Sequence, residues 1–398
     1  MRKEICYVPT LRFQKYAADW VKTDLSNYLY VSTVRNKNGS YTKEDVLSVS
    51  GELGIVNQIA LLGRSYAGES VLPYHIVEVG DIVYTKSPLA LYPYGIIKTN
   101  RHKDGIVSTL YAVYKTRENA NNRFIEHYFS LKSRINNYLK PIVRIGAKHD
   151  MKIGNNEVLK NIVVFPEIDE QIEIANFLDL LNERIEVQNK IISKYETLIK
   201  GIYTSLQKKI HTQKYCLSDT SVYHSVGLLS KDDLCKQGKN KCVLYGELFT
   251  TYGEVIIDIK SNTNADGYRS NGNEILFPSS TTVDSLSLIS PSALNESNVV
   301  LGGDMFVLSM KKDFNNEYVS YYLNIVARRQ LAKFAQGTTI THLYYEHIKD
   351  FVLELPSYTM QLQISAIMRE LQQKVVTEKR MLSALQKQKA FLIQSMFI

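Results

Sequence analysis

The chain has 398 residues, 44% of them hydrophobic and 22% charged, with a formal net charge of +8. That length and apolar fraction predict two or three folded domains and exclude a low-complexity or disordered polymer. No apolar run reaches the roughly 18 residues of a membrane span, and the start "MRKEICYVPTLRFQKY" has no apolar core of a signal peptide, so a cytoplasmic protein is expected.

Residues 1–165 hold 23 basic against 14 acidic side chains, a net +9 that favours an anionic partner. Within this block "DIVY" at 81–84 reads as a strand, being short and rich in β-branched and aromatic residues. A polar loop with Thr85, Lys86 and Ser87 follows it, and "TNRHKDG" then gathers Arg101, His102 and Lys103. "RFIEHYFSLKSRINNYL" from Arg123 has helical spacing. Next comes "VRIGAKHD", with Arg144, Lys148 and His149, before Pro166.

Residues 166–210 form the first long helix. Steps of four and three residues from Ile174 reach Leu178, Leu181, Ile185, Gln188, Ile192, Tyr195, Ile199, Ile202 and Leu206, and only Gln188 is polar. A 3.5-residue spacing held over about five heptads predicts a coiled-coil seam. Pro166 suits a helix start, where a missing N–H costs nothing.

Residues 211–355 repeat the first block at a shift of 190 to 194. "NEILFPSST" at 273–281 answers "GDIVYTKSP" at 80–88, "EYVSYYL" from Glu317 answers "RFIEHYF", and "EHIKDFVLELP" answers "EVLKNIVVFP". Residues 356–398 then repeat the long helix, from "LPSYTMQLQISAIM" against "FPEIDEQIEIANFL". The same walk from Ile364 meets Met368, Leu371, Val375, Glu378, Leu382, Leu385, Lys389, Leu392 and Met396. Its first polar member, Glu378, falls at the step where Gln188 fell. The expected architecture is therefore α+β: two mixed α/β domains, 1–165 and 211–355, separated by two long helices that pair as an antiparallel coiled coil in a pseudo-two-fold molecule. The second domain is acidic, with 12 basic and 16 acidic residues from 215 to 355.

Residues suited to phosphate and base-edge contacts cluster at equivalent places. They are Thr85, Lys86 and Ser87 in the first block, with Ser279, Ser280, Thr281 and Thr282 in the second. Arg144, Lys148 and His149 likewise correspond to Thr338, Thr339 and His342 in "QGTTITHL". Arg101, Lys103, Tyr252, Lys260, Arg269 and Lys333 complete the candidates.

These features resemble the DNA-specificity subunit of type I restriction–modification enzymes. The resemblance rests on "PTLRFQKYAADW", "LSVSGELGIVNQ", "YHIVEVGDIVYTKSPL", "GTTITHL" and the paired "P....Q..I" helix openings, in that order. It implies a non-catalytic bacterial subunit whose two target-recognition domains each read half of a bipartite, asymmetric sequence in double-stranded DNA. It also implies that the helices dock two methyltransferase subunits, with restriction and translocase subunits joining them. S-adenosylmethionine, ATP and magnesium would then belong to those partners, and no cofactor to this chain.

Rival patterns are weak. Cys6, Cys216, Cys235 and Cys242 lack the close spacing of zinc ligands, even with His224 nearby, and read as reduced thiols. "VIIDIK" sets Asp258 and Lys260 after a strand-like run, as in some metal-dependent nucleases. His342, Glu346 and His347 follow neither zinc-protease order, and no phosphate-binding glycine loop occurs. The main alternative is a coiled-coil scaffold whose lobes bind proteins, which the acidic second block would suit.

Overall fold

The computed structural model describes residues 7–89, 91–145 and 151–398. Each block is built on a four-stranded antiparallel sheet. In the first the order is Leu29–Val31, Tyr111–Thr116, Ile82–Thr85, Ile97–Thr99. In the second it is Ser221–Ser225, Met305–Met310, Glu274–Pro278, Ser292–Leu294. The strands thus recur in equivalent order, and the faint sequence repeat is a repeat of topology. Ile82–Thr85 and Glu274–Pro278 are buried along their whole length. Central strands covered on both faces show unbroken apolar runs instead of alternation, hence "DIVY" and "EILF".

A two-stranded clasp closes each block. Val21–Asp24 pairs antiparallel with Ile162–Phe165, and Gln213–Cys216 with Val352–Leu355. Each domain therefore begins and ends side by side, directly ahead of a long helix.

Those helices span Ile168–Lys209 and Tyr358–Ser395. At a rise of about 1.5 Å per residue they are about 63 and 57 Å long. The prolines lie just outside them: the Gln171 N–H donates to the Glu167 carbonyl and that of Gln361 to the Ser357 carbonyl, which makes Glu167 and Ser357 the caps.

The repeated phrase is explained by its glutamine. The Gln171 side-chain amide donates to the Pro166 carbonyl at 2.9 Å and accepts from the Asn121 N–H at 3.0 Å. Gln361 donates to the Pro356 carbonyl at 2.9 Å and accepts from the Asn315 N–H at 2.9 Å. Asn121 and Asn315 in turn cap the short helices Asn122–Tyr128 and Asn316–Tyr321. One buried amide thus ties each long helix to the domain before it. The single helices expected beyond these caps are broken: Lys132–Leu139 follows separately in the first block, and a π turn, Tyr322–Val326, follows in the second.

The chain divides into two compact units, residues 1–187 with 382–398, and residues 188–381. In the first unit Ile174, Leu178 and Leu181 share a core with Leu385, Leu392 and Met396, and Ile185 packs against it. Phe397 reaches Phe124 at 5.2 Å between ring centroids, and Phe124 reaches Phe165 at 5.1 Å. In the second unit Tyr203 packs on Tyr318 and Tyr321, while Ser365 bonds Asn315 and Arg369 bonds Glu317 in that same helical segment. Fifteen residues before Tyr203, Gln188 meets Glu378, so one numbering falls as the other rises and the helices are antiparallel. Ile192, Ile199, Ile364, Met368 and Val375 are buried, and Leu371 and Leu382 half-buried.

Candidate DNA interface

In the second unit two of the expected loops become one surface. Ser280–Thr281 pairs antiparallel with Thr341–His342, and the Leu343 N–H donates to the Ser279 carbonyl at 2.8 Å. Gln336 and His342 exchange backbone hydrogen bonds of 2.9 and 2.7 Å and so close the loop between them. Its tip, Thr338, Thr339 and Ile340, is exposed. Gly337 permits the turn: its φ is +119°, and a Cβ there would lie 1.9 Å from the Ile340 carbonyl oxygen. Thr282 and Val283 are exposed on the neighbouring loop. The half-buried His342 ring stacks on exposed Tyr344 at 5.8 Å, and Tyr223 stacks on Tyr345 at 4.6 Å. Hydroxyls beside stacked aromatic faces suit sugar, phosphate and base-edge contacts. Tyr344 and Tyr223 are absent from the sequence-derived candidates, because nothing separates them from the other tyrosines among 27.

The first unit repeats the arrangement with a cation. Lys86 Nζ donates to Asn155 Oδ1 at 2.5 Å, which joins the loop after the central strand to the segment ahead of the helix. Burial lowers the Lys86 amine below its ordinary value. Ser87 is exposed, whereas Thr85 is buried and its hydroxyl accepts from the Ile96 N–H at 2.9 Å. Arg144 is exposed on a short pair, Arg144–Ile145 with Met151–Lys152. Lys148 and His149 lie outside the described residues.

The remaining candidates have other neighbours. Arg101 is engaged by two carboxylates, Glu126 at 2.7 Å and Asp179 at 2.7 Å, and lines a cleft of about 750 Å³ beside Lys98, Arg123 and Lys389. Asp179 also accepts from Arg123 at 3.0 Å and His127 at 2.8 Å. Burial opposes its charge, but the hydrogen bonds from His127 and Arg101 prevail and hold the carboxyl down to about 2. Lys103 is 80% exposed and stands 3.7 Å from Asp45. Tyr252 packs in the second unit's core, accepts from the Lys260 N–H at 3.0 Å, and has its phenol pushed up to about 12 by burial. Lys260 pairs with Asp258, which also takes Arg380 at 2.9 Å. Arg269 reaches Asp266 at 2.7 Å and Asn298 at 3.1 Å, and Lys333 is exposed. Among the described residues no three His, Cys, Asp or Glu side chains are grouped to hold a metal ion, and no helix is long and apolar enough to cross a membrane.

Two domains built on sheets of one strand order, each clasped ahead of a long helix and presenting polar loops, make up the fold. Residues 213–387 match the type I restriction modification DNA specificity domain family. The fold is similar to that of the S subunit of a type I restriction–modification system from M. genitalium, with TM-score 0.61, 14% identity, and coverage of 98% of this chain and 99% of that one. It is also similar to a chain from a structure of type I R-M complex assembly and conformational transition, with TM-score 0.52, 15% identity, and coverage of 95% and 96%. No curated protein matches the sequence. The resemblance to type I specificity subunits is thus upheld, by family over 213–387 and by fold over nearly the whole chain.

Proposed function

We propose that this chain is the sequence-specific DNA-recognition subunit of a type I restriction–modification complex. Each domain reads one half of a bipartite, asymmetric target, and the paired long helices set the gap and dock two methyltransferase subunits. Adenine methylation with S-adenosylmethionine, and ATP- and magnesium-dependent translocation and cleavage, belong to the methyltransferase and restriction subunits. The observation that supports this reading most is the joining, in both units, of the loop after the central strand to the segment ahead of the long helix. In the second unit that union exposes Thr338, Thr339, Thr282 and Tyr344; in the first it places Lys86 and Ser87, with Arg144 nearby in sequence. Arg101, Thr85 and Tyr252 support the fold on this reading.

Co-expression with methyltransferase subunits and mapping of modified adenines tests it. A split, asymmetric motif is expected, and T338A/T339A should relax or abolish only its second half. No modification, or a single continuous motif, would overturn the reading. The acidic second block favours one rival, a scaffold whose lobes bind proteins. Mobility shift of random duplexes separates the two, because DNA reading requires binding that weakens as salt rises.

A further inference from the structure

The two domains are seated on their helices by the same parts: the clasp, the buried glutamine and the asparagine cap recur at equivalent positions. None of these parts distinguishes one seat from the other. The first seat also carries a pair with no equivalent in the second, Arg12 with Glu170 at 2.7 Å, where the second helix has Met360. Among the groups present at equivalent positions in both seats, one has its charges reversed. In the first unit the helix offers an acid, Asp179, and the domain surrounds it with Arg101, Arg123 and His127. The helix shift of 190 carries Asp179 to Arg369, and the domain shift of 194 carries Arg123 to Glu317. Arg369 donates to Glu317 at 3.1 Å through Nε, and its NH2 group makes an ion pair of 2.5 Å with the same carboxylate. By strand register Arg101 corresponds to Asn295, whose side-chain amide also donates to Glu317, and Tyr321 stands where His127 stands. Glu317 is fully buried, so its only tolerable neighbours are cations and donors.

We propose that this inverted set is an address. It determines which domain docks on which helix, since the second domain on the first seat would bring Glu317 against Asp179, and the first on the second seat would bring Arg101 and Arg123 against Arg369. Like charges at a buried contact reject the wrong seating while opposite charges stabilise the right one. Taken with the proposed reading of DNA, the address also fixes the order in which the two half-sites are read.

Thermal unfolding of the full chain tests the address without reference to DNA. D179N removes the negative charge that Arg101 and Arg123 share; D179R faces those two guanidiniums with its own positive charge and should melt lower than D179N by on the order of 5–10 °C. The set R101N/R123E/H127Y/D179R installs the second unit's residues in the first and should recover most of that loss. A transposed chain, with residues 217–351 in place of 25–161, should unfold cooperatively only when D179R is also present. Equal midpoints for D179R and D179N, or a fourfold variant no better than D179R, would overturn the address and leave the DNA reading standing. Loss of DNA binding in a chain with the expected melting pattern would do the reverse.

Discussion

Two residues bear measurable consequences by themselves. Gly337 holds a left-handed turn in which a methyl group would collide with the Ile340 carbonyl. G337A should therefore displace Thr338 and Thr339 and weaken DNA binding about tenfold or more, while the thermal midpoint stays within about 2 °C, because the loop buries little apolar surface. A midpoint drop with binding intact would contradict this assignment. Asp179 gives a pH signature. Its carboxyl is held at about 2 in the folded chain against an ordinary 3.8, so its contribution is complete above pH 3.8 and is lost as pH falls through 2. The shift corresponds to about 2 kcal/mol. The stability gap between the native chain and D179N should therefore be widest at pH 5 and shrink toward pH 2.5. A gap that stays constant over that range would show that the carboxylate's charge is not what holds the contact.

At the scale of elements, the seam positions with polar side chains in both helices turn out to meet. Gln188 and Glu378, equivalent under the 190-residue shift, hydrogen-bond one another, with the Gln188 amide also reaching the Glu378 carbonyl at 3.2 Å. A polar pair in an apolar seam, here buried Gln188 with half-buried Glu378, fixes register at a cost in stability. Q188L alone should lose about 1–3 kcal/mol, because it strands the Glu378 side chain, and Q188L/E378L should recover that loss in denaturant titrations. A double variant as weak as Q188L would mean the pair does not set the register.

The helices and central strands were legible because their signals are periodic or compositional. Ile174 to Leu206 and Ile364 to Met396 display a spacing that few other structures produce, and "EILF" is what a strand covered on both faces must look like. The breaks after Tyr128 and Tyr321 were illegible, since apolar spacing runs on through them while local hydrogen bonds, such as Ser130 to the His127 carbonyl, decide the backbone. The candidate interface was half legible. Its loops carried recognisable hydroxyls, but their union depends on Ser280 pairing with His342 across 62 positions, a separation that no local periodicity spans. Arg101 illustrates the converse: a loop arginine looks the same in sequence whether it meets solvent or, as here, an aspartate on a helix 78 residues later.

For the molecule as a whole, the length of the paired helices is the quantity that matters if they set the gap between half-sites. One extra heptad in each, after Gln188 and after Glu378, keeps the seam in phase and adds about 10 Å. At roughly 3.4 Å per base pair the unread gap should widen by about three base pairs, with both half-sites unchanged. Methylome sequencing would report it, and an altered half-site with an unaltered gap would defeat the ruler.

Residues 382–398 belong to the first unit, where Phe397 lies among Phe124 and Tyr128. On the ribosome the first unit must therefore wait for residues 382–398 before its interior can close, although the domain translated between its two parts needs no such delay. A stop codon near residue 384 would injure the unit whose domain is encoded some two hundred codons upstream.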